Sequence, residues 1–196
     1  IEEAQIPPRY RGGFAKWEDR TPECTILRAA VKEYVASFKA GETEHGLAFI
    51  GVTGCGKSLL AACMARALIE KGVSVRWENA MEMFMRFRAT WNRVNEEDEE
   101  DVLEDLLEPD VLVIDDLGVE SPTRWVLERL YLVLDVRHKA GNVVCVTTNF
   151  AGKALRERMM IPGCSDLGER IISRLNGMVR LVGKFPKTDW RMAKRK

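Results

Sequence analysis

GVTGCGKS, Gly51 to Ser58, is the stretch whose reading settles the fold. It has the form G-x-x-x-x-G-K-S, it follows the apolar run GLAFI, and it opens an alanine- and leucine-rich run that reads as a helix from Lys57 to Lys71, ended by Gly72. Strand, glycine loop and helix in that order are the context in which this pattern cradles phosphate. Glycines let backbone N–H groups converge on phosphate oxygens, and the helix start adds the positive end of its dipole. Lys57 is placed to reach the β- and γ-phosphates, and the Ser58 hydroxyl to ligate Mg²⁺. The expected nucleotide-contacting set is Gly51, Val52, Thr53, Gly54, Cys55, Gly56, Lys57, Ser58 and Leu59. Cys55 fills a variable slot as a small tolerated side chain; the alternative is that the helix start lowers its thiol pKa and makes it sensitive to oxidation or alkylation.

Outward from the loop, strands alternate with helices. Residues 1–20, with two prolines and a Gly-Gly, read as an extended lead-in segment or linker. Thr21-Pro22-Glu23 is a helix start, an N-cap followed by a first-turn proline and an acid, and that helix should run to about Ala40. VSVRWE reads as a second strand, and Asn79 with Glu82 caps the helix holding MEMFMRFRATWNR. EEDEEDVLEDLLE is an acidic helix stopped by Pro109. VLVIDD and VVCVTTN are continuous apolar strands of the kind buried on both faces of a parallel sheet. Ser121-Pro122 opens a long helix to about Lys139, SDLGERIISRLNG is another, and MVRLV is a last strand before a basic tail at 184–196. The pattern predicts an α/β domain with a mostly parallel five-stranded sheet, whose ligands sit at the carboxyl ends of the strands.

Composition narrows the partners. The 196 residues carry 30 basic and 30 acidic side chains, so any binding surface is a local patch. No apolar run approaches the roughly 20 residues of a membrane helix, nothing resembles a signal peptide, and the expected location is cytoplasmic. Five scattered cysteines form neither a complete disulfide set nor a metal-site spacing, which suits free thiols.

Asp115 and Asp116 end an apolar strand, where a carboxylate pair is costly without a cation. Asp115 is expected to hold Mg²⁺ through water and Asp116 to polarise the attacking water; the alternative is a pair of helix-capping acids. Asn149, at the end of the strand VVCVTTN, can orient that water or touch the γ-phosphate, or it is simply a turn residue.

Together and in order, GVTGCGKSLLA, VLVIDDLG, VTTN and LGERIISRL resemble the AAA+ ATPases of the bacterial DnaC/DnaI helicase-loader group, with the IstB-type ATPases of transposons as close relatives. The resemblance runs from IPPRYRGG to DWR at 189–191. It implies a P-loop AAA+ three-layer sandwich over residues 21–196 with a rudimentary C-terminal lid. Lys57 and Ser58 then correspond to Walker A, Asp115 and Asp116 to Walker B, Asn149 to sensor 1 and Arg191 to sensor 2. Arg174 falls where the group keeps its arginine finger, which reaches nucleotide on a neighbouring subunit; Arg170 is the next candidate. Many AAA+ enzymes carry glutamate where this chain has Asp116, which is one methylene shorter, so slow turnover is expected.

The resemblance also implies ATP and Mg²⁺ as cofactors, a DnaB-type replicative helicase as partner, single-stranded DNA as substrate and an ATP-dependent homo-oligomeric open ring or spiral. A helicase-binding domain is expected upstream, before this chain begins. An IstB-like role, acting on duplex DNA and recruiting a transposase, is the alternative. Residues 79–108 fall where this branch carries a helical insertion facing the ring axis. There Arg86, Arg88, Arg93 and Phe84 are the candidates for DNA contact, with Phe87 and Trp91 interleaved. Packing on the sheet is the favoured reading for most of the aromatics, and DNA contact by at least one of the arginines is expected. The acidic run that follows reads as solvated surface.

Overall fold

A computed structural model describes residues 2–91 and 98–193. Five strands form one sheet, β1 (Gly46–Ile50), β2 (Val75–Asn79), β3 (Val111–Asp115), β4 (Val143–Thr148) and β5 (Val179–Leu181). Their order is β2-β3-β4-β1-β5 and every pairing is parallel. Among the described residues, eight helices connect and cover it: α1 (Pro22–Ser37), α2 (Lys57–Glu70), α3 (Ala80–Trp91), α4 (Glu99–Leu107), α5 (Arg124–Ala140), α6 (Lys153–Met159), α7 (Ser165–Met178) and α8 (Trp190–Ala193).

Side chains alternate along a strand, so each buried strand feeds two cores. Phe49, Val111, Val113, Val143 and Cys145 pack under α1 and α2. Ala48, Leu112, Ile114, Val144 and Val146 pack under α3, α4, α5 and α7. The result is the expected three-layer α/β sandwich. Because β1 lies beside β4 and β4 beside β3, the loops leaving their carboxyl ends are neighbours.

Several boundaries moved for identifiable reasons. The Thr21 hydroxyl caps α1 by accepting from the Cys24 N–H. That helix stops at Ser37, before the expected Ala40, because Phe38 turns extended and buries its ring. The Lys71 ammonium then takes up the carbonyls of Val35, Ala36 and Phe38. Helix α5 is capped by Thr123, not Ser121, and ends at Gly141 in a left-handed conformation. Helix α6 adds to the expected elements; it is seven residues long and starts at Gly152 with no side-chain cap.

The lead-in segment is not extended. It folds into two 3₁₀ turns, Pro8–Tyr10 and Gly13–Lys16, and buries Ile6 and Trp17 in the α1–α2 core. The Ala4 carbonyl accepts from the Trp77 N–H of the edge strand β2 at 2.8 Å, so this segment covers part of a sheet edge.

Candidate functional site

The phosphate loop leaves β1 and enters α2 through two glycines with positive φ, Gly54 at +75° and Gly56 at +104°. A side chain at Gly56 would press on the Trp17 ring at 3.1 Å, and one at Gly54 would collide with the Asp189 carboxylate. These positions need glycine for conformation and for space. Lys57 is buried, and its ammonium donates to the Val52 carbonyl at 2.9 Å and to Asn149 Oδ1 at 2.8 Å. Burial lowers its pKa; the Cys55 thiol and the carboxylates of Asp116 and Asp115 oppose that, while Arg191 adds to it.

Asp115 is buried at the end of β3, and burial raises its pKa against hydrogen bonds from Thr147 and Ser58. The Thr147 hydroxyl performs two tasks: it donates to Asp115 Oδ1 at 2.6 Å and accepts from the Asp116 N–H at 2.9 Å. Asp116 sits at φ +58°, a left-handed conformation that costs a non-glycine residue about 1 kcal/mol. The threonine thus pins both acids to β4. Thr147→Val should lower stability by about 2 kcal/mol, since it strands a buried donor and acceptor. Thermal unfolding of the two proteins would measure the loss.

The linkage of Asp115 carries a sign. An acid whose folded pKa lies above its unfolded value favours folding when protonated, and that stability is lost as pH rises through the raised value. Asp115→Asn should therefore raise the melting temperature of the metal-free protein at neutral pH. The gain should fade as pH falls through the carboxyl's raised pKa, because the native acid then becomes protonated as well. Thermal unfolding in chelator from neutral pH downward would measure it.

A cleft of about 450 Å³ opens beside the loop, a size suited to a nucleotide. Thr53 through Leu59 line it, with Asp116, Asn149 and Arg191. Residues that no sequence motif marks also line it, including Tyr10, Trp17, Arg20 and Trp190. The Arg20 guanidinium lies over the Trp190 ring, 5.1 Å from its centroid. The Trp190 N–H donates to the Gly54 carbonyl at 3.1 Å, so the C-terminal segment is tied to the phosphate loop and brings Arg191 with it. An aromatic-basic mix in RYRGGFAKW was visible in the sequence, but its folding back onto α2 was not.

Lys57, Ser58, Asp115, Asp116, Asn149 and Arg191 thus come together. Ser58 and Asp115, close enough that the hydroxyl helps to hold the carboxyl's pKa down, are the oxygen pair suited to a hard cation such as Mg²⁺. Gly51 packs its Cα against Phe185 and the Cys55 sulfur, and Val52 contributes its carbonyl to Lys57. Arg174 does not line its own cleft. It donates twice to Asp135 of α5, at 3.0 and 2.8 Å, while Arg170 is exposed one turn earlier.

The structure decides the alternative at Cys55 and corrects the readings of Phe84, Arg86 and part of the acidic run. The Cys55 thiol is buried, and burial pushes its pKa up although Lys57 opposes this, so it lacks the exposed thiolate that reactivity requires. Phe84 is buried against the second core, its ring edge-on to Trp125, and has no free face for a base. Arg86 reaches inward to Glu78 and Asp105, both at 2.7 Å, in a network that also holds Arg76. Part of the acidic run therefore faces the protein: Asp105 takes Arg76 and Arg86, and Glu99 takes Arg129. Arg88 is exposed, with its guanidinium 5.1 Å from the Trp125 centroid, and Trp91 is 60 % exposed. Arg93 lies outside the described residues.

Fold and site together define a P-loop nucleotide-binding domain of the AAA+ type. A sequence model described as "IstB-like ATP binding protein" matches residues 27–178, and the chain belongs to that family. The replicative helicase loader DnaC of Buchnera aphidicola subsp. Acyrthosiphon pisum (strain APS) is 27% identical over 150 residues, 76% of this chain and 56% of the relative. This chain therefore spans about half the length of the curated relatives it matches. Among solved structures, DnaI superposes with a TM-score of 0.77 at 21% identity, covering 90% of this chain and 93% of that one. The DnaC helicase loader superposes at 0.73 and 24% identity, covering 90% and 98%. Among the described residues no helix is long and apolar enough to cross a membrane.

Proposed function

We propose that this chain is the ATPase domain of a replication factor that places a DnaB-type helicase on DNA. It assembles on single-stranded DNA as an open ring or spiral, with ATP·Mg²⁺ bound and hydrolysed between subunits. The observation that carries the reading is the meeting of Lys57, Asn149, Asp116 and Arg191 on one cleft, in a chain whose curated relatives bear the name helicase loader.

Within that reading each side chain has a task. Backbone N–H groups of the loop and the Lys57 ammonium hold the phosphates, while Ser58 and Asp115 hold Mg²⁺, which screens phosphate charge. Asp116 polarises water for attack on the γ-phosphorus, Asn149 orients it, and ADP and phosphate leave. Arg174, directed away from its own cleft and held by Asp135, supplies the positive charge that completes a neighbour's site. ATP then favours assembly and hydrolysis loosens it. DNA contact passes from Phe84 and Arg86 to Arg88 and Trp91, an exposed cation and ring pair suited to phosphate and base.

Turnover titrated against protein concentration, with and without single-stranded DNA, tests this. The specific rate should rise with concentration, and Arg174→Ala should reduce it about a thousand-fold or to background. Unchanged turnover in that variant at all concentrations would overturn the shared site. The family description favours a second reading, an IstB-like factor that acts on duplex DNA and recruits a transposase. Preference for duplex over single strands at matched salt would select it.

A further inference from the structure

The loop between β3 and α5 contains a buried acid that the chemistry above does not use. Both oxygens of Glu120 accept from the Gly118 N–H, at 3.2 and 3.0 Å. Burial pushes this carboxyl's pKa up, while neighbouring N–H groups and Arg158 oppose that. The same loop holds Asp116 and Gly118 at positive φ, +58° and +89°. A strained shape of this kind persists only where its surroundings over-determine it. Thr148 donates to the Leu117 carbonyl at 2.7 Å, and the Leu117 N–H donates to Thr147 at 2.9 Å.

The remaining restraint comes from α6. Arg158 Nη2 donates to the Glu120 carbonyl at 3.0 Å, and the guanidinium lies over the Phe150 ring at 4.6 Å. Phe150 directly follows Asn149, and Asp116, Val119 and Asn149 all line the cleft. One arginine therefore touches two of the segments that reach the nucleotide end of the sheet, the β3–α5 loop and the chain leaving β4. A Cβ on Gly118 would come within 3.1 Å of Phe150 and 3.2 Å of Leu155, so the layers are in close contact. Arg158 Nε is buried without a hydrogen-bond partner. An orphan donor of this kind gives a rearranged junction a bond to gain.

Helices α6 and α7 are closely joined. Gly168 lies against the Met159 carbonyl with no room for a side chain, and Arg156 pairs with Glu169. A displacement of α6 is thus transmitted to α7, which carries Arg170 and Arg174. We propose that Arg158 is a positioning residue that couples occupancy of the cleft, through Glu120 and Phe150, to the α6–α7 pair. The proposal rests on the nucleotide-site reading, and it places the link between site and subunit interface on the far side of the sheet's active edge.

Amide hydrogen exchange with and without ATP·Mg²⁺ tests it without requiring hydrolysis. In the wild type, ATP should slow exchange at the phosphate loop and change it across residues 153–178. Arg158→Met should keep the loop protection and lose the response over 153–178. Arg158→Lys, which retains a donor for the Glu120 carbonyl, should keep part of it. Phe150→Leu is a milder second variant and should weaken the same response. A wild-type response across 153–178 in Arg158→Met would overturn the proposal, as would a wild type whose loop is protected but whose α6–α7 pair is unresponsive. If ATP protects no part of the wild-type loop, the nucleotide reading itself fails, a separate and recognisable outcome.

Discussion

Lys57→Ala is expected to weaken nucleotide binding by about two orders of magnitude and, on the proposed ATPase function, to leave no measurable turnover. The ammonium is buried at the start of α2, where two of its three donors serve Val52 and Asn149 and the third is left for phosphate. Alanine removes the positive charge opposite the phosphates and strands the Asn149 oxygen at the same stroke. Arginine is no remedy, because a planar guanidinium does not fit a site shaped around a compact ammonium. Titration with a fluorescent ATP analogue, beside a circular-dichroism check of folding, would measure the loss. Wild-type affinity in Lys57→Ala would remove the phosphate-loop assignment and the functional proposal with it.

The second large effect concerns stability at the opposite end of the sheet. Arg137 is fully buried in α5, and its guanidinium donates to the carbonyls of Leu106, Leu107, Pro109, Asp110 and Val143. It closes the turn from α4 into β3 and ties that turn to the first residue of β4. Burial pulls its pKa down to about 10, so it stays charged at neutral pH. Arg137→Met fills much of the same volume but removes the guanidinium from all five carbonyls, leaving Leu107 only the Asn142 amide and Asp110 only the Val143 N–H. The expected loss is about 4 kcal/mol, by analogy with removing one member of a buried charged network. For a domain of this size that corresponds to about 10 °C in melting temperature. Arg137→Lys should fall between, since one ammonium cannot span two loops. Nucleotide affinity measured well below the transition should stay unchanged, because the cluster lies at the amino-terminal edge of β3 and β4.

The two arginines of α3 show what a sequence can and cannot say. Arg86 and Arg88 are two positions apart on a helix, with the same composition around them. One is drawn inward because β2 places Glu78 in the second core and α4 delivers Asp105 beside it. The other is exposed over Trp125. Neither outcome follows from local pattern, since each depends on a carboxylate or ring contributed by a distant element. Phe84 is the same case, with the second core claiming the face that might have met a base.

By itself the sequence determined the parallel α/β architecture, the phosphate loop and the strand-end positions of Asp115, Asp116 and Asn149. Those features rest on short-range physics: side-chain periodicity, glycine at positive φ, and acids at strand ends. Only the tertiary structure decided that Thr147 pins the two acids, that Cys55 is buried, that Trp17 and Trp190 close the cleft, and that Arg158 reaches behind it. Each of these depends on segments far apart in the chain meeting at one point. Local propensity does not encode that meeting; the packing of two cores against one sheet does.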